Sequence, residues 1–323
     1  MNVHMPALAD AHLPDEQTSA FAKDAIAGLS QQPKQLSPKY FYDATGSELF
    51  EQITRLPEYY PTRTELGILR DRGAEIAAII PERAALIEFG AGATTKMRLL
   101  LDTCVFGAYV PVDISGDFLG SQADGLRRDF PDLAVHPVVA DFTAPFQLPD
   151  AVKDMPKVGF FPGSTIGNFE PHEACRFLRS AREILGPGAL MIVGADLEKD
   201  ERVLYAAYND AAGVTARFNL NLLMRINREL GGNFDLSAFT HRAIYNREQH
   251  RIEMHLISKK SQSVRFLGTS FAFRAGESIH TENSYKYSIE RFGALARGSG
   301  WKVKTTWTDD AKMFSVHALV AEA

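Results

Sequence analysis

Cysteine is almost missing from this chain: its 323 residues hold only Cys104 and Cys175. Two thiols cannot make a disulfide framework, and a reducing compartment suits such a protein best. A basic excess is missing too. Lys and Arg number 35 against 40 Asp and Glu, a formal charge of −5, whereas a duplex-DNA binder normally carries a cationic surplus. Long hydrophobic runs are absent as well. Stretches such as 184–195 are interrupted by Gly and Pro, and fall short of the roughly 18–20 apolar residues that span a bilayer. The first basic residue is Lys23, so neither the charged start of a secretory signal nor an Arg-rich transit segment is legible. The expectation is a cytoplasmic protein, acting as a monomer, with no nucleic-acid or membrane partner. At 45% apolar and 23% charged residues, it has the balance of a globular chain of about two domains.

What is present is an alternation. The first 38 or so residues read as a polar arm and then a weak helix. Thr62-Arg63-Thr64-Glu65 fits a capping box that opens an amphipathic helix carrying Leu66, Leu69, Gly73, Ile76 and Ile80 on one face and ending at Pro81. Short apolar runs follow at 85–89, 108–112, 134–139, 158–161 and 190–194, separated by helical stretches. Continuous runs of that length predict a parallel sheet covered on both faces, and so an α/β, doubly wound fold.

After Asp200 the pattern changes. The stripe Leu204, Ala207, Tyr208, Ala211, Val214, Phe218, Leu222 and Ile226 predicts one long helix stopping at Gly231-Gly232. Ile252, Met254 and Leu256 alternate with polar residues, as in a half-buried strand, and a second strand is expected over about 264–273. This reads as an inserted lobe. The tail, 301–307 and 313–320, predicts two more strands closing the first sheet.

The chemistry is expected at the ends of the apolar runs. Glu88-Phe89-Gly90-Ala91-Gly92-Ala93-Thr94 carries a strand into a G-x-G turn, where a ligand can approach the backbone closely. A dinucleotide site wants a third glycine, and that position is Thr95. Glu88 before the glycines suits a cationic ligand better than a pyrophosphate. Asp113 ends the second run, where a carboxylate can accept both ribose hydroxyls. Asp141-Phe142 ends the third, an acceptor for an adenine amino group beside a ring that can lie on the base. Each acid alone could be a solvated strand end or a cap. Three acids at consecutive strand ends point to S-adenosylmethionine, with no metal. After the fourth run, Gly163-Ser164-Thr165-Ile166-Gly167-Asn168 is either a plain turn or a grip on an amino acid, for which the Asn168 amide has donors and an acceptor.

These residues carry a resemblance. Tyr40–Phe50, Ile53–Glu65, Gly163–Asn168, Ala207–Thr215, Arg251–Met254 and Thr281–Ser284 together resemble the histidine Nα-methyltransferases of ergothioneine biosynthesis. The resemblance covers about residue 35 to the end. It implies a class I S-adenosylmethionine-dependent methyltransferase sheet, Rossmann-like, over 63–199 and 288–323. A discontinuous α+β substrate-binding domain over 1–62 and 200–287 would accompany it. The implied reaction is trimethylation of the α-amino group of L-histidine, through its mono- and dimethyl forms, to hercynine. Glu88, Gly90, Ala91, Gly92, Lys96, Asp113, Asp141 and Phe142 would hold the cofactor. Tyr59, Asn168 and Tyr208 would hold the amino and carboxylate end of the substrate, with Gly163 and Tyr42 near the pocket. Met254, Glu282 and Ser284 would surround the imidazole. No dedicated catalytic acid or base is implied.

Plainer readings stand beside these. Tyr208 on an apolar stripe is by default a core tyrosine with a bonded hydroxyl, and Met254 on a strand is more often filler than a ligand contact. Rival functions are an N-methyltransferase acting on another amino acid or small amine, and a non-catalytic nucleotide-binding module. A nicotinamide oxidoreductase is more distant, given the missing glycine.

Overall fold

The strand Ala85–Phe89 is buried at all of its positions, as a strand covered on both faces must be. In the computed structural model, which describes residues 16–92, 95–114 and 116–322, it pairs in parallel with Ala108–Asp113 on one side and Lys157–Phe161 on the other. The sheet runs in the order Ala134–Val135, Ala108–Asp113, Ala85–Phe89, Lys157–Phe161, Leu190–Asp196, Phe314–Ala321, Trp301–Thr308, with Val138–Val139 also pairing Ala108–Asp113. The last two strands run antiparallel, so the tail closes the sheet as its sequence pattern predicts. The order of the strands along the chain reverses between Ala85–Phe89 and Lys157–Phe161. Ligands of such sheets bind beyond the carboxyl ends of strands at that reversal.

Strand alternation separates two apolar layers. Ala85, Ile87 and Phe89 join Val110, Phe161, Phe177 and Trp301 in one. Leu86 joins Met97, Tyr109, Phe160 and Phe314 in the other. Fully buried side chains of this size contribute about 1.5–3 kcal/mol each, so the two layers hold the sheet between them. The single polar group of Trp301 is satisfied, its Nε1 donating to the Leu178 carbonyl at 2.8 Å.

These elements belong to the larger of two units, formed by Phe50–Val214, Ala243–Glu253 and the chain from Asn283 onward. The smaller unit takes the described chain up to Leu49, with Thr215–Arg242 and Met254–Glu282. Its helix Glu16–Leu29 is followed by a short strand, Lys34–Gln35, that pairs in parallel with Ile279 and His280. That strand edges a sheet ordered Lys34–Gln35, Ser278–Tyr285, Arg251–Ser258, Phe239–Asn246. Phe41 stacks on Phe218 at 4.4 Å in this unit's core. Asp43 accepts from the Gly46 amide at 2.8 Å, Asn221 at 2.7 Å and Arg228 at 2.6 Å. Those bonds account for an acid in the Tyr42–Ser47 segment. No helix among the described residues is long and apolar enough to cross a membrane.

The structure corrects three expectations. The helix expected to open at Thr62 starts at Tyr60 instead, and breaks at Arg72 into Tyr60–Asp71 and Gly73–Ala77. Glu65 caps nothing, because its carboxylate has a tertiary partner. The long stripe is two helices, Glu201–Tyr208 and Val214–Leu230. Between them the Asn209 side chain bonds both backbone groups of Ala243, and Asp210 accepts from the Val214 amide at 2.8 Å. The strand expected over 264–273 is a hairpin, Gln262–Phe266 against Thr269–Phe273. Leu267 and Gly268 both take positive φ at its turn, the backbone a two-residue hairpin requires. The polar arm, and Ala93 and Thr94 of the glycine loop, lie outside the described residues.

Candidate active site

Parallel register brings the carboxyl ends of the central strands to one edge. Phe89 pairs with Val112, Asp113 with Val139, and Glu88 with Phe160. Gly90–Gly92, Asp113, Asp141–Phe142 and the Gly163–Asn168 turn all leave the sheet at this edge. Gly90 has a φ of +74°, and a Cβ there would lie 3.1 Å from the Phe142 ring. A glycine is therefore needed for that ring to reach the turn, and it packs onward against Phe161 and Phe177. A Cβ on Gly92 would meet nothing within 4 Å among the described residues.

The acids differ in state. Glu88 is buried, and its Oε2 accepts the Tyr109 hydroxyl at 2.5 Å. Burial pushes its carboxyl up to about 7, with the Tyr109 bond and Lys96 opposing. Asp113 is half-buried at its strand end. Asp141 Oδ1 accepts from the Thr143 amide at 2.9 Å and from its hydroxyl. That leaves Asp141 Oδ2 outside this local turn. Lys96 is held by an ion pair to Glu65 at 2.6 Å, and Glu65 also accepts from the Gly163 amide with both oxygens, at 3.0 and 2.9 Å.

The Gly163–Asn168 segment is a turn tied to its surroundings. Gly163 and Ser164 both have positive φ. Ser164 Oγ accepts from the Asp196 amide at 2.9 Å, tying the turn to the next strand. Asn168 ends the 3-10 turn Thr165–Asn168, half-buried. No hydrogen bond engages its side-chain amide among the described residues, so this half-buried amide is open to water or to a ligand. Glu170 follows. It caps the helix Pro171–Leu185 in a reciprocal capping box with Glu173, and accepts from Arg251, Asn283 and Tyr285 at 2.7, 3.0 and 2.6 Å. Arg251 and Asn283 of the resemblance motifs thus hold this loop in place.

Tyr59 and Tyr208 are both buried, their rings edge-to-face at 6.2 Å. The Tyr208 hydroxyl lies 2.7 Å from Ser284 Oγ. So Tyr208 is a core tyrosine with a bonded hydroxyl and, at the same time, meets another of the residues picked out from sequence. Reading the sequence missed what lies behind them. Asp196 is fully buried, accepts from the Tyr60 hydroxyl at 2.6 Å, and pairs with Lys199 at 2.7 Å and Lys286 at 2.8 Å. Burial alone would raise the Asp196 carboxyl, yet Lys286 and Lys199 hold it below its ordinary range. Burial pulls Lys199 down to about 8. Lys199 lies three residues after Asp196, but Tyr60 and Lys286 come from distant segments, so no local signal marks the full set.

Tyr42, Met254 and Glu282 belong to the smaller unit. Tyr42 is 41% exposed, its ring edge-on to Phe218 at 5.7 Å. Met254 is buried on its strand, and its carbonyl accepts from Thr281 at 3.0 Å. Glu282 is half-buried on the strand Ser278–Tyr285.

A family model described as a histidine-specific, S-adenosylmethionine-dependent methyltransferase matches residues 21–321. The histidine N-alpha-methyltransferase of Mycolicibacterium smegmatis is 42% identical over 95% of this chain and 96% of its own length. That of Mycobacterium tuberculosis is 40% identical over 92% and 94%. The ergothioneine biosynthesis protein 1 of Neurospora crassa is 29% identical over 85% of this chain but 32% of its own length.

Proposed function

The chain belongs to the family of histidine-specific, S-adenosylmethionine-dependent methyltransferases, and from that premise we propose how its residues divide the work of methylating the α-amino group of L-histidine to hercynine. It is an N-methyltransferase of small molecules. When bound, S-adenosylmethionine supplies an electrophilic methyl group on a sulfonium sulfur. The residues at the carboxyl edge fit that molecule: the open face of Gly92, the Gly90–Phe142 contact, and carboxylates at three strand ends. Asp113 would hold the ribose hydroxyls and Phe142 would lie against the adenine, with the Asp141 Oδ2 outside its turn as an acceptor. Glu88 would meet the ammonium end together with the backbone of Gly90, Ala91 and Gly92. Lys96 acts through Glu65, fixing the start of the Gly163 turn.

Tyr59, Asn168 and Tyr208 would hold the amino and carboxylate end of histidine, and Ser284 its imidazole. The chain's contribution to the transfer is alignment of the amine nitrogen with the methyl carbon and its sulfur, an effect able to supply roughly 7–11 kcal/mol. The substrate ammonium must shed a proton before each attack, and the quaternary product carries a charge that the tyrosine faces favour. The observation that carries this reading is the half-buried Asn168 amide at the strand reversal, unengaged among the described residues.

Mass spectrometry of the purified enzyme with S-adenosylmethionine and a panel of amino acids and amines tests it. Mono-, di- and trimethylhistidine should accumulate in sequence while other amino acids stay unmodified. Equal methylation of several amino acids would sink the histidine assignment and favour a broader amine methyltransferase.

A further inference from the structure

Lys286 is the ammonium of the larger unit most completely removed from solvent, at 0% exposure. Its Nζ lies 2.8 Å from Asp196 Oδ2, 3.0 Å from the Tyr208 hydroxyl and 2.7 Å from Ser284 Oγ. An ammonium has three protons and accepts nothing. Three partners therefore take its three donors, one each. Asp196 is fixed in turn by Tyr60 and Lys199, so the ammonium cannot swing away without leaving a buried carboxylate short of a partner.

The two hydroxyls are also within 2.7 Å of each other. Each accepts from Lys286, so one of them must donate to the other. A phenol is the stronger acid and the weaker acceptor, and Tyr208 therefore donates to Ser284. Ser284 Oγ then accepts twice, from Tyr208 and from Lys286, and both of its lone pairs are filled. Only its own proton is left to offer, and that proton points at neither partner.

We infer that Lys286, held by Asp196, is a positioning residue that fixes Ser284 as a hydrogen-bond donor, so that the substrate ring must present an unprotonated nitrogen to it. This rests on the reading that Ser284 faces the imidazole. A serine with free lone pairs would serve either tautomer of that ring, accepting from N–H or donating to bare nitrogen. With its lone pairs occupied it serves one tautomer. Side chains that offer N–H or C–H at this place leave a buried donor unpaired, and a site built to hydrogen-bond its substrate rejects such analogues strongly. Lys286 touches no substrate atom; its effect passes through the serine.

The polarity is tested with histidine analogues in competition assays. The two thiazolylalanine isomers keep a ring acceptor and have no N–H; the two pyrrolylalanine isomers keep the N–H and have no acceptor. Ser284→Ala should weaken the better-binding thiazolylalanine about tenfold and leave the pyrrolylalanines within about twofold. Lys286→Met should raise KM for histidine, shrink the same analogue preference and leave S-adenosylmethionine binding unchanged. In a Ser284→Ala background it should not change that preference further. Lys286→Gln, which retains N–H donors, should recover part of the preference. A Ser284→Ala variant that loses the pyrrolylalanines instead would show serine acting as acceptor, overturning the inference while leaving the imidazole contact intact. A variant indifferent to both analogues but still specific for histidine would remove Ser284 from the imidazole, and the inference with it. Lower thermal stability in Lys286→Met with an unaltered analogue ratio would reduce the lysine to a structural role. Should that variant not fold, the Ser284→Ala comparison decides the polarity by itself.

Discussion

Gly194 has no side chain because Glu65 occupies the place where one would be: a Cβ at 194 would lie 2.0 Å from Glu65 Oε1. The carboxylate reaches across the strand Leu190–Asp196 to accept from Gly163 and pair with Lys96. Gly194→Ala should therefore destabilise the protein by about 1–3 kcal/mol through overpacking. Glu65→Ala should also destabilise it, by removing the partner of Lys96 and the acceptor for Gly163. The double variant should cost less than the sum, since the overlap disappears with the carboxylate. Denaturant midpoints of the four proteins check this, and strict additivity would speak against the contact.

Asp113→Ala is expected to weaken S-adenosylmethionine binding by about 1–3 kcal/mol, the scale of charge-assisted bonds lost from a ribose. Calorimetric titration of the folded variant reads it directly. Unchanged affinity would take Asp113 out of the cofactor site.

Asn168→Ala should depress turnover while leaving thermal stability within about 0.5 kcal/mol, because the amide makes no bond within the described protein and surface-type changes are small. KM for histidine should rise and affinity for the cofactor should hold. A parallel loss of melting temperature and activity would mean that the amide supports the turn and not a ligand.

The pH dependence of the ligand-free protein should carry the mark of Glu88. Burial raises its folded pKa to about 7 from an ordinary 4.5. Between those values the folded chain keeps a proton that the unfolded chain has released. Stability should thus fall as pH climbs from about 4.5 to 7 and level off above, by up to about 3 kcal/mol for this one group. Glu88→Gln should flatten that slope. Unfolding midpoints at pH 5 and pH 8, compared between the two proteins, provide the measurement. A slope of the same size in both would assign it elsewhere.

Much of the larger unit was legible because burial on both faces writes itself into consecutive residues. The run at 85–89 reads as a strand without reference to anything else, and the same holds for 108–112, 158–161 and 190–194. The tail strands were legible for the same reason. The helix stop at Gly231 was legible too, since Gly231 sits at a φ of +64° where a glycine ends a helix without strain. The acids at the strand ends and the Gly163–Asn168 turn could be found from position alone, because a parallel sheet lines up its carboxyl ends whatever the details of packing.

Tertiary structure decided the rest. Thr62–Glu65 satisfies the local pattern of a capping box, yet Glu65 finds stronger partners in Lys96 and the Gly163 amide. Periodicity runs unbroken from Leu204 to Ile226, but Asn209 turns the chain by bonding Ala243, 34 residues on. Leu267-Gly268 lacks the polar signature of a hairpin turn, so that bend was invisible. Lys286 is the clearest case. A lysine reads from sequence as a solvated charge, since an unpaired ammonium is costly to bury. It is buried here because Asp196 and Tyr208, from distant segments, converge on its protons beside Ser284, two residues before it. Apolar burial leaves a periodic trace in the chain, while the pairing of a buried charge depends on residues far apart in sequence and leaves none.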